Sequence, residues 1–402
     1  MSIIGKLSLW PALVPLLLVI IGNMTKLDFN PNIKSVPLPN FEGALSYNRD
    51  LSGAEKLFEG EALGPESLAV LNGTIYSGLE NGNIVKFTKE GKMETVTRIG
   101  KNCEGGWQSH VCGRPLGLRF DKNGNLYAVD AIFGIHRIDV KTGLVTPLLP
   151  TYRNIEGRPM VFPDDLTMDE EGNIYITDAS AKWEVDEVLY ISAEFDKSGR
   201  VIKFNPKTNE AEVVMRNIGF PNGIQISDRG DFILVSEIIE RRILRYYLKG
   251  AKKGTTDVFV DNLPGEPDNI RPSSRGGYWV AMAVARNSTH PLVVDRLLEY
   301  PLILKYMVKM MFAVGSFLQR VADYLPFASF RRFAFLIRSG RFGEDLFYMP
   351  GMVLELDSEG KIVRNFFSPD EKIKFPAEVL EYNKHLYVGS FVNRYLGRLK
   401  LS

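Results

Sequence analysis

A short motif that recurs six times constrains the fold more than any other feature of this 402-residue chain. In each copy a tight turn leads into a strand rich in aromatic and β-branched residues. The copies lie at residues 72–76, 123–127, 171–175, 229–233, 276–280 and 383–387. With the strands around it, each copy marks a unit of about four strands at a spacing of roughly 46–58 residues, the size of a propeller blade. The sequence therefore predicts an all-β fold, a six-bladed β-propeller over residues 54–402.

The last unit reaches Ser402 before its fourth strand, and residues 55–59 can supply that strand. Such pairing would close the ring through its two ends and cover an exposed sheet edge. The fifth and sixth copies stand about twice as far apart as the others, so we expect a helical insertion at about 290–345, between blades five and six.

The N-terminus predicts the compartment. Lys6 precedes an uncharged run over residues 7–22, which is typical of a signal sequence. A cleaved signal peptide and an uncleaved type II membrane anchor over residues 1–25 both remain open, with a linker over residues 26–53. Either one places the propeller in the lumen or outside the cell, membrane-anchored in the second case and secreted in the first. A net charge of +1 argues against a nucleic-acid partner.

Two cysteines and three glycosylation sequons agree with that compartment. Cys103 and Cys112 stand close together in a glycine-containing loop, which favours a disulfide, with two free thiols as the alternative. Asn72 and Asn287 are candidate glycan acceptors, whereas Asn23 would lie too close to a membrane.

The first strand of each blade predicts a metal site. Each begins with proline, then two residues and an apolar residue, and in a propeller these strands line the central channel. The residues that follow the six prolines are Glu66, Leu116, Asp164, Asn222, Asp268 and Ala377. Four of them offer hard oxygen ligands, which select Ca²⁺. The alternative is that these side chains only bond strand ends. Asp165, Asn269 and Glu378 lie beside this set and could orient a water molecule.

Four segments carry a family resemblance: residues 112–117, 220–223, 267–273 and 277–280. Together they resemble the strictosidine synthase-like family. The resemblance implies a six-bladed propeller related to the calcium-dependent paraoxonases and gluconolactonases. In those relatives an acid or amide at the positions matching Glu66, Asp164, Asn222 and Asp268 binds the channel metal.

The chain also departs from that family pattern. Ala377 stands where true strictosidine synthases carry a catalytic glutamate, which argues against their condensation reaction. Leu116 stands where paraoxonases place a histidine. Asp164 replaces an asparagine that is usual in the family, which makes the predicted cage more anionic by one charge.

Two function classes remain. The four histidines show no metal-ligand spacing, and no Gly-x-Ser-x-Gly motif accompanies them, so a Ser-His-Asp hydrolase is not supported. One class is a weak esterase or lactonase that acts on small hydrophobic esters with Ca²⁺ as a Lewis acid. The other is a non-enzymatic membrane-tethered binding glycoprotein in which Ca²⁺ is structural. The sequence identifies no catalytic residue and no organic cofactor site.

The expected insertion has an unusual composition. Residues 302–325 predict a helix with a narrow polar stripe and a broad apolar face. Residues 327–342 then mix Phe330, Phe333 and Phe335 with arginines, which suits a membrane interface with anionic lipids. The alternative is that both helices form a lid over the channel mouth.

Overall fold

The computed structural model describes residues 25–32, 34–88 and 90–401. Within them lie six antiparallel sheets of four strands each. The strands, in sheet order, are β1 (Glu55–Leu57), which joins the sixth sheet; β2 (Leu68–Leu71), β3 (Thr74–Gly78), β4 (Asn83–Phe87) and β5 (Met93–Arg98); β6 (Pro115–Phe120), β7 (Leu126–Asp130), β8 (Gly134–Ile138) and β9 (Val145–Leu149); β10 (Pro163–Met168), β11 (Ile174–Asp178), β12 (Gly199–Asn205) and β13 (Glu210–Ile218); β14 (Pro221–Ile226), β15 (Phe232–Glu237), β16 (Arg242–Tyr247) and β17 (Thr256–Val260); β18 (Gly265–Pro272), β19 (Tyr278–Ala285), β20 (Gly351–Leu356) and β21 (Ile362–Ser368); and β22 (Glu378–Tyr382), β23 (His385–Gly389) and β24 (Leu396–Lys400). The repeated motif is the second strand of every sheet, so the predicted all-β repeat is confirmed.

The turn that opens several of these strands is held by its own side chains. In the second sheet the Asp121 carboxylate accepts hydrogen bonds from the backbone N–H groups of Asn123 and Asn125, both at 2.9 Å. Asp169 accepts the same pair of bonds in the third sheet, from Glu171 and Asn173. An aspartate that bonds the backbone two and four residues ahead stabilises a tight turn, which explains why the motif recurs.

The six sheets follow one another around a closed ring. The first strand of each sheet contacts the first strand of the next sheet, and β22 contacts β2. An apolar cluster fills each space between consecutive sheets, as Trp279 and Val379 do between the fifth and the sixth. The other five clusters separate the remaining neighbours in the same way. The core is therefore divided among six interfaces, and the ring axis is left to polar side chains.

The ring closes through the two ends of the chain. Strand β1 pairs with β24, with Glu55 opposite Arg398 and Leu57 opposite Leu396. The Arg398 guanidinium also binds the Glu55 carboxylate. The prediction that residues 55–59 supply the missing strand is thus confirmed, and the sixth sheet has no uncovered outer edge at β24.

Five helices lie within the described residues. They are α1 (Ser109–Cys112), α2 (Val188–Glu194), α3 (Val293–Leu297), α4 (Pro301–Ala322) and α5 (Ala328–Ser339), with 3₁₀ turns at Gly43–Leu45, Asp50–Gly53, Gly106–Gln108, Val185–Glu187 and Arg341–Asp345. The chain divides into two compact units. The sheet unit holds every strand, and the helical unit holds residues 186–195, 292–347 and the described part of 25–35.

The helical insertion does not lie where we predicted. It connects β19 to β20, the second and third strands of the fifth sheet, and so it interrupts one sheet instead of separating two. The two strands pair directly, with Tyr278 opposite Leu356, so the chain leaves a hairpin and returns to it. A shorter insertion with α2 joins β11 to β12 in the third sheet and was not predicted.

The segment predicted as a linker is packed. Leu51 is fully buried in the cluster between the fifth and sixth sheets. The Asn48 amide binds Asn365 at 2.8 Å, and its carbonyl oxygen accepts from the backbone N–H of Phe367. The predicted signal or anchor segment, by contrast, lies outside the described residues except for its last position, Thr25.

The two cysteines are bonded to each other, and the two candidate glycan acceptors differ in exposure. Cys103 and Cys112 form a disulfide, as predicted. Asn72 is exposed in a turn, where a glycan has room. Asn287 is only 4% exposed, and its side-chain oxygen accepts hydrogen bonds from Thr289 and His290. In the folded protein Asn72 is therefore the better acceptor.

Candidate metal centre in the ring of inner strands

Four oxygen-bearing side chains meet where the inner strands begin. Asp164, Asn222 and Asp268 lie on β10, β14 and β18, and Glu66 lies two residues before β2. All four are between 2% and 4% exposed. The Asn222 amide donates to Asp164 at 3.3 Å, and Arg114 donates to Glu66 at 3.3 Å. The structure thus brings together the four residues that the sequence singled out.

Three of these side chains carry an oxygen without a partner. Asp164 Oδ1, Asn222 Oδ1 and Asp268 Oδ1 are buried and accept no hydrogen bond within the described part of the chain. Buried polar atoms are nearly always paired in folded proteins, because each unpaired one costs roughly 1–3 kcal/mol. Three such oxygens from three neighbouring sheets form a site that lacks a positive partner.

The acids of this group resist ionisation. Burial raises the pKa of Glu66 to about 7, against the opposing effect of Arg114. Burial also raises the pKa values of Asp164 and Asp268 well above the ordinary aspartate range, and the nearby charge of Glu66 adds to both shifts. Desolvation and like charges both penalise the charged form of a carboxyl group, and a bound cation would reverse both effects.

A second polar layer lies one residue further along the same strands. Arg271 donates to Asp165 at 2.9 Å and to Glu378 at 2.5 Å. Arg119 also donates to Asp165, at 3.2 Å. The Glu378 carboxylate accepts from the Ser67 hydroxyl at 3.0 Å. Although burial opposes the effect, Arg119 and Arg271 lower the pKa of Asp165, so this layer carries its own cations.

The two layers differ in charge compensation. Asp165 has both oxygens bonded, to two arginines and to the backbone N–H of Ile224, which leaves it less capacity to orient a water molecule. Asn269 Oδ1 and Glu378 Oε1 have no partner among the described residues and remain available for that role. Of the three acids nearest the axis, Glu66, Asp164 and Asp268, only Glu66 is bonded to an arginine among the described residues.

A bulge interrupts the regular register of three inner strands. In the third, fourth and fifth sheets the register shifts between the proline and the apolar residue three positions later, as between Pro163 and Leu166. A bulge interrupts the alternation of a strand. Asp164 and Asp165 are both buried, as is every residue from Pro163 to Thr167. Ala377 and Glu378, the equivalent pair in the sixth sheet, are also both fully buried.

Two glycines let the inner strands approach one another. A Cβ atom on Gly117 would lie 2.7 Å from Asp165 Oδ1 and 2.8 Å from the Asp165 Cα. One on Gly223 would lie 2.6 Å from the Asn269 Cα. These glycines occupy the frame position of Asp165 in their own sheets, and larger residues there would push the strands apart.

The sequence interpretation missed the arginines. Arg119 and Arg271 each stand four residues after the frame proline, so extending the repeat comparison by one position would have found them. Arg114 directly precedes a frame proline and donates to both Glu66 and the Phe391 carbonyl, at 3.3 and 2.7 Å.

Two further features bear on the site. Over residues 25–32, 34–88 and 90–401, no group of three or more His, Cys, Asp and Glu side chains has converged to metal-binding spacing. In the described structure Glu66, Asp164 and Asp268 are therefore not at metal-binding spacing. An open groove of about 540 Å³ lies elsewhere, on outer strands of the third and fourth sheets, and includes Met215 and Leu244.

Solved structures of similar fold include one gluconolactonase and one putative gluconolactonase. A gluconolactonase from Xanthomonas campestris aligns with a TM-score of 0.55 at 13% identity, over 93% of this chain and 97% of that one. A putative gluconolactonase aligns with a TM-score of 0.54 at 13% identity, over 86% and 91%. A luciferin-regenerating enzyme aligns with a TM-score of 0.51 at 11% identity, over 86% and 94%. At such identities the likeness shows a shared fold and no more.

Sequence relatives are more similar. The strictosidine synthase family model matches residues 164–251, and the model for the N-terminal part of strictosidine synthase-like proteins matches residues 43–87. Adipocyte plasma membrane-associated protein from Bos taurus is 37% identical over 96% of this chain and 88% of its own length, and the Homo sapiens protein is 36% identical over 96% and 87%. Hemomucin from Drosophila melanogaster is 34% identical over 90% of this chain and 63% of its own length. The chain therefore belongs to the strictosidine synthase-like family, together with the adipocyte plasma membrane-associated proteins.

Proposed function

We propose that this protein is a six-bladed propeller that binds one Ca²⁺ at its axis and hydrolyses small hydrophobic esters or lactones there. Glu66, Asp164, Asn222 and Asp268 would hold the ion. Water and backbone carbonyls complete the six to eight oxygen ligands that Ca²⁺ takes. The solved lactonases of similar fold, together with the predicted oxygen-only ligand set, support this reaction class.

The contrast between the two polar layers supports the metal most strongly. The Asp165 layer is neutralised by Arg119 and Arg271, so it needs no further cation. Near the axis, Asp164 and Asp268 keep unpaired buried oxygens. Two carboxylates about 4 Å apart repel by roughly 4 kcal/mol at an effective dielectric constant of about 20. A divalent cation removes that repulsion and pairs the free oxygens.

Ester hydrolysis consumes one water, breaks the bond between the acyl carbon and the leaving oxygen, and yields an acid and an alcohol. When bound, Ca²⁺ supplies Lewis-acid polarisation of the carbonyl oxygen. Asn269 Oδ1 and Glu378 Oε1 would accept hydrogen bonds from the attacking water and orient it. Glu378 is held for this purpose by Ser67 and Arg271. Arg114 holds Glu66 at the edge of the site.

A second function class is favoured by one observation. The four proposed ligands are at most 4% exposed, so a substrate has little direct access to them. The ion would then act as a clamp that joins four of the six blades, in a non-enzymatic membrane-tethered binding protein. Because both classes require the same ion, metal binding is tested first and turnover second.

Metal binding is tested with a pair of isosteric variants. Asp268→Asn removes one carboxylate charge from the proposed ligand set, so the metal-free variant should be more stable than the metal-free parent at pH 8, and its stabilisation by Ca²⁺ should be smaller. Asp165→Asn is the control, since it removes a carboxylate that already has arginine partners and should destabilise the protein with or without Ca²⁺. If Ca²⁺ stands at about one hundred times its Kd, it should stabilise the parent by roughly 2.7 kcal/mol.

The measurements are thermal melts and calorimetric titrations of the full chain in nonionic detergent, with Ca²⁺, Mg²⁺ or EDTA. Unchanged melting in all three, with no heat of binding, would refute the metal site. Turnover of aryl esters and lactones by the Ca²⁺-loaded protein, lost in Asp268→Asn, supports the hydrolase. If Ca²⁺ stabilises the protein fully but neither aryl esters nor lactones are turned over, the ion has the structural role of a clamp between blades.

The proposed location is the lumenal or extracellular face of a membrane. Two relatives carry the words "plasma membrane-associated" in their names. The Cys103–Cys112 disulfide is typical of an oxidising compartment. Selective labelling of intact cells at an exposed propeller residue, against permeabilised cells, tests the orientation.

A further inference from the structure

Helix α4 exposes an apolar stripe along one face. Its exposed residues include Ile303, Met307, Val314, Phe317 and Val321, at intervals of four, seven, three and four residues. Such intervals place them along one face of a helix. Phe317 is 65% exposed. A contiguous exposed apolar surface of this kind marks an interaction site.

The opposite face of α4 is already used inside the helical unit. Leu304, Val308 and Gly315 are buried there, and a Cβ atom on Gly315 would lie 2.4 Å from the Arg338 backbone in α5. Tyr190 of α2 stacks edge-on against Phe312 at 6.4 Å. The exposed stripe is thus a second, separate face, and burial within the helical unit does not account for it.

Basic side chains border the stripe. The segment from Pro301 to Ser339 carries six basic residues and one acidic residue, which gives a net charge of +5. Lys309, Arg320 and Arg332 form no ion pair with any residue that the structure describes. In α5, Phe333 is half exposed beside Arg332, whereas Phe335, which we had assigned to the same surface, is buried. An apolar stripe edged by cations is typical of a helix that lies in the interface of a phospholipid bilayer.

The N-terminal segment brings a membrane within reach. Lys305 of α4 donates to the Asn30 side chain at 2.8 Å, so residue 30 lies against this helix. The uncharged run ends at Gly22, eight residues earlier. Eight residues span at most roughly 28 Å. If the uncharged run enters a bilayer, α4 stands within that distance of its surface.

Helix α4 is also long and apolar enough to be considered as a membrane span, and only 17% of its apolar window is buried. Its contacts argue against spanning. One face packs on α5 and on Tyr190, and Lys305 and Lys309 lie within its first three turns. A helix in the bilayer plane keeps these contacts in water and buries only the stripe.

We propose that the exposed face of α4, with Phe333 of α5, inserts into the headgroup region of the bilayer that the N-terminal segment reaches, and that Lys309, Arg320 and Arg332 contact lipid phosphates. The occupant is a phospholipid surface. Zwitterionic and anionic lipids both carry a phosphate group, so both bind these side chains. The positive charge of the helices favours the anionic lipid. The helical unit then holds the protein against the membrane at a second place beyond its tether.

The test uses a matched pair of labels on the full chain. Phe317→Cys and Leu144→Cys replace side chains of nearly equal exposure, 65% and 64%, in the helical unit and in the turn before β9. Both proteins keep the same tether, and the native cysteines are in a disulfide. Each introduced thiol receives an environment-sensitive fluorophore, and the protein is reconstituted into vesicles that contain a quencher-labelled lipid. The vesicles are phosphatidylcholine alone or phosphatidylcholine with phosphatidylserine.

We expect the label at position 317 to be quenched in both vesicles, and more strongly with phosphatidylserine, while the label at 144 stays unquenched. The triple variant Lys309→Glu, Arg320→Glu, Arg332→Glu should remove the difference between the two lipids, with unchanged thermal melting as the check on folding. An unquenched label at 317 in both vesicles overturns the proposal. A label at 317 that shifts to the blue without lipid quenching, in protein that cross-links as a dimer, assigns the stripe to a second copy and also overturns it.

Discussion

Arg271→Met offers the most direct test of how the inner strands are held together. The Arg271 side chain is 6% exposed and bonds two carboxylates that are fully buried, Asp165 and Glu378. Methionine keeps much of the volume and removes the cation. Breaking a buried ion pair by removing one partner costs about 3–5 kcal/mol. Arg119 still holds Asp165 at 3.2 Å, so we expect a loss near the lower end, about 3 kcal/mol.

The loss should depend on pH in a defined direction. Burial already raises the pKa of Glu378 while Arg271 opposes the shift, so removing Arg271 raises that pKa further. A carboxyl group whose folded-state pKa is raised stabilises the fold below its unfolded pKa and loses that contribution as pH rises through the folded pKa. The variant should therefore lose more stability at pH 8 than at pH 5. Adding Glu378→Gln should restore part of the loss at pH 8, because Ser67 can still bond the amide.

The assay is urea unfolding of the full chain in nonionic detergent with saturating Ca²⁺, followed by tryptophan fluorescence. Arg49→Met is the control, since Arg49 is 71% exposed in its pair with Asp370 and such pairs contribute within about 1 kcal/mol. A loss for Arg271→Met no larger than that of the control, and equal at both pH values, would refute the view that the Asp165 layer is a compensated structural network.

Three further outcomes follow from the structure. Burial raises the pKa of Glu66 from 4.5 to about 7, so the metal-free fold loses stability as pH rises through that range; the increase in melting temperature on adding Ca²⁺ should be larger at pH 8 than at pH 5.5, and an equal increase at both would contradict the ligand role. Replacing both Cys103 and Cys112 by Ser opens a loop of nine residues and should cost about 2–3 kcal/mol in urea unfolding, whereas no change would show that the bond is dispensable. Gly315→Val should separate α4 from α5 and expose the buried face of α4 to hydrogen exchange, while exchange in the strands stays unchanged; protection retained in α4 would contradict the close packing at Gly315.

Much of the fold could be predicted because the same sequence pattern recurs in each sheet. The turn before Tyr127 and the turn before Tyr175 are held by the same aspartate contacts, so one local rule locates several strands. The proline frame then predicted four ligands near the axis; all four side chains are buried, and their metal-binding role stays a prediction. The non-local pairing of β1 with β24 followed from counting strands in the last unit.

The structural features that the sequence did not reveal are those that depart from the repeat. The register shift after Pro163, beside the buried Asp164 and Asp165, is not visible in the sequence pattern. Arg271 finds its partners on other sheets, 106 and 107 residues away, and no local pattern reports such contacts. The insertion was placed outside the fifth sheet because length alone cannot show whether a hairpin closes before or after it.

The pairing of β1 with β24 also governs when the protein can finish folding as it is made. Glu55 pairs with Arg398, which lies 343 residues later, so the outer strand of the sixth sheet is in place only after residue 398 has been made. Hairpins within the first five sheets form from residues close in sequence, but the final step closes a very large loop, which is slow. Until the ribosome releases the last residues, the growing protein is an open arc with unpaired edges at both ends. We expect that interval to be the time when chaperones in the compartment of synthesis bind it, and a chain that stops before Leu396 would remain in that state.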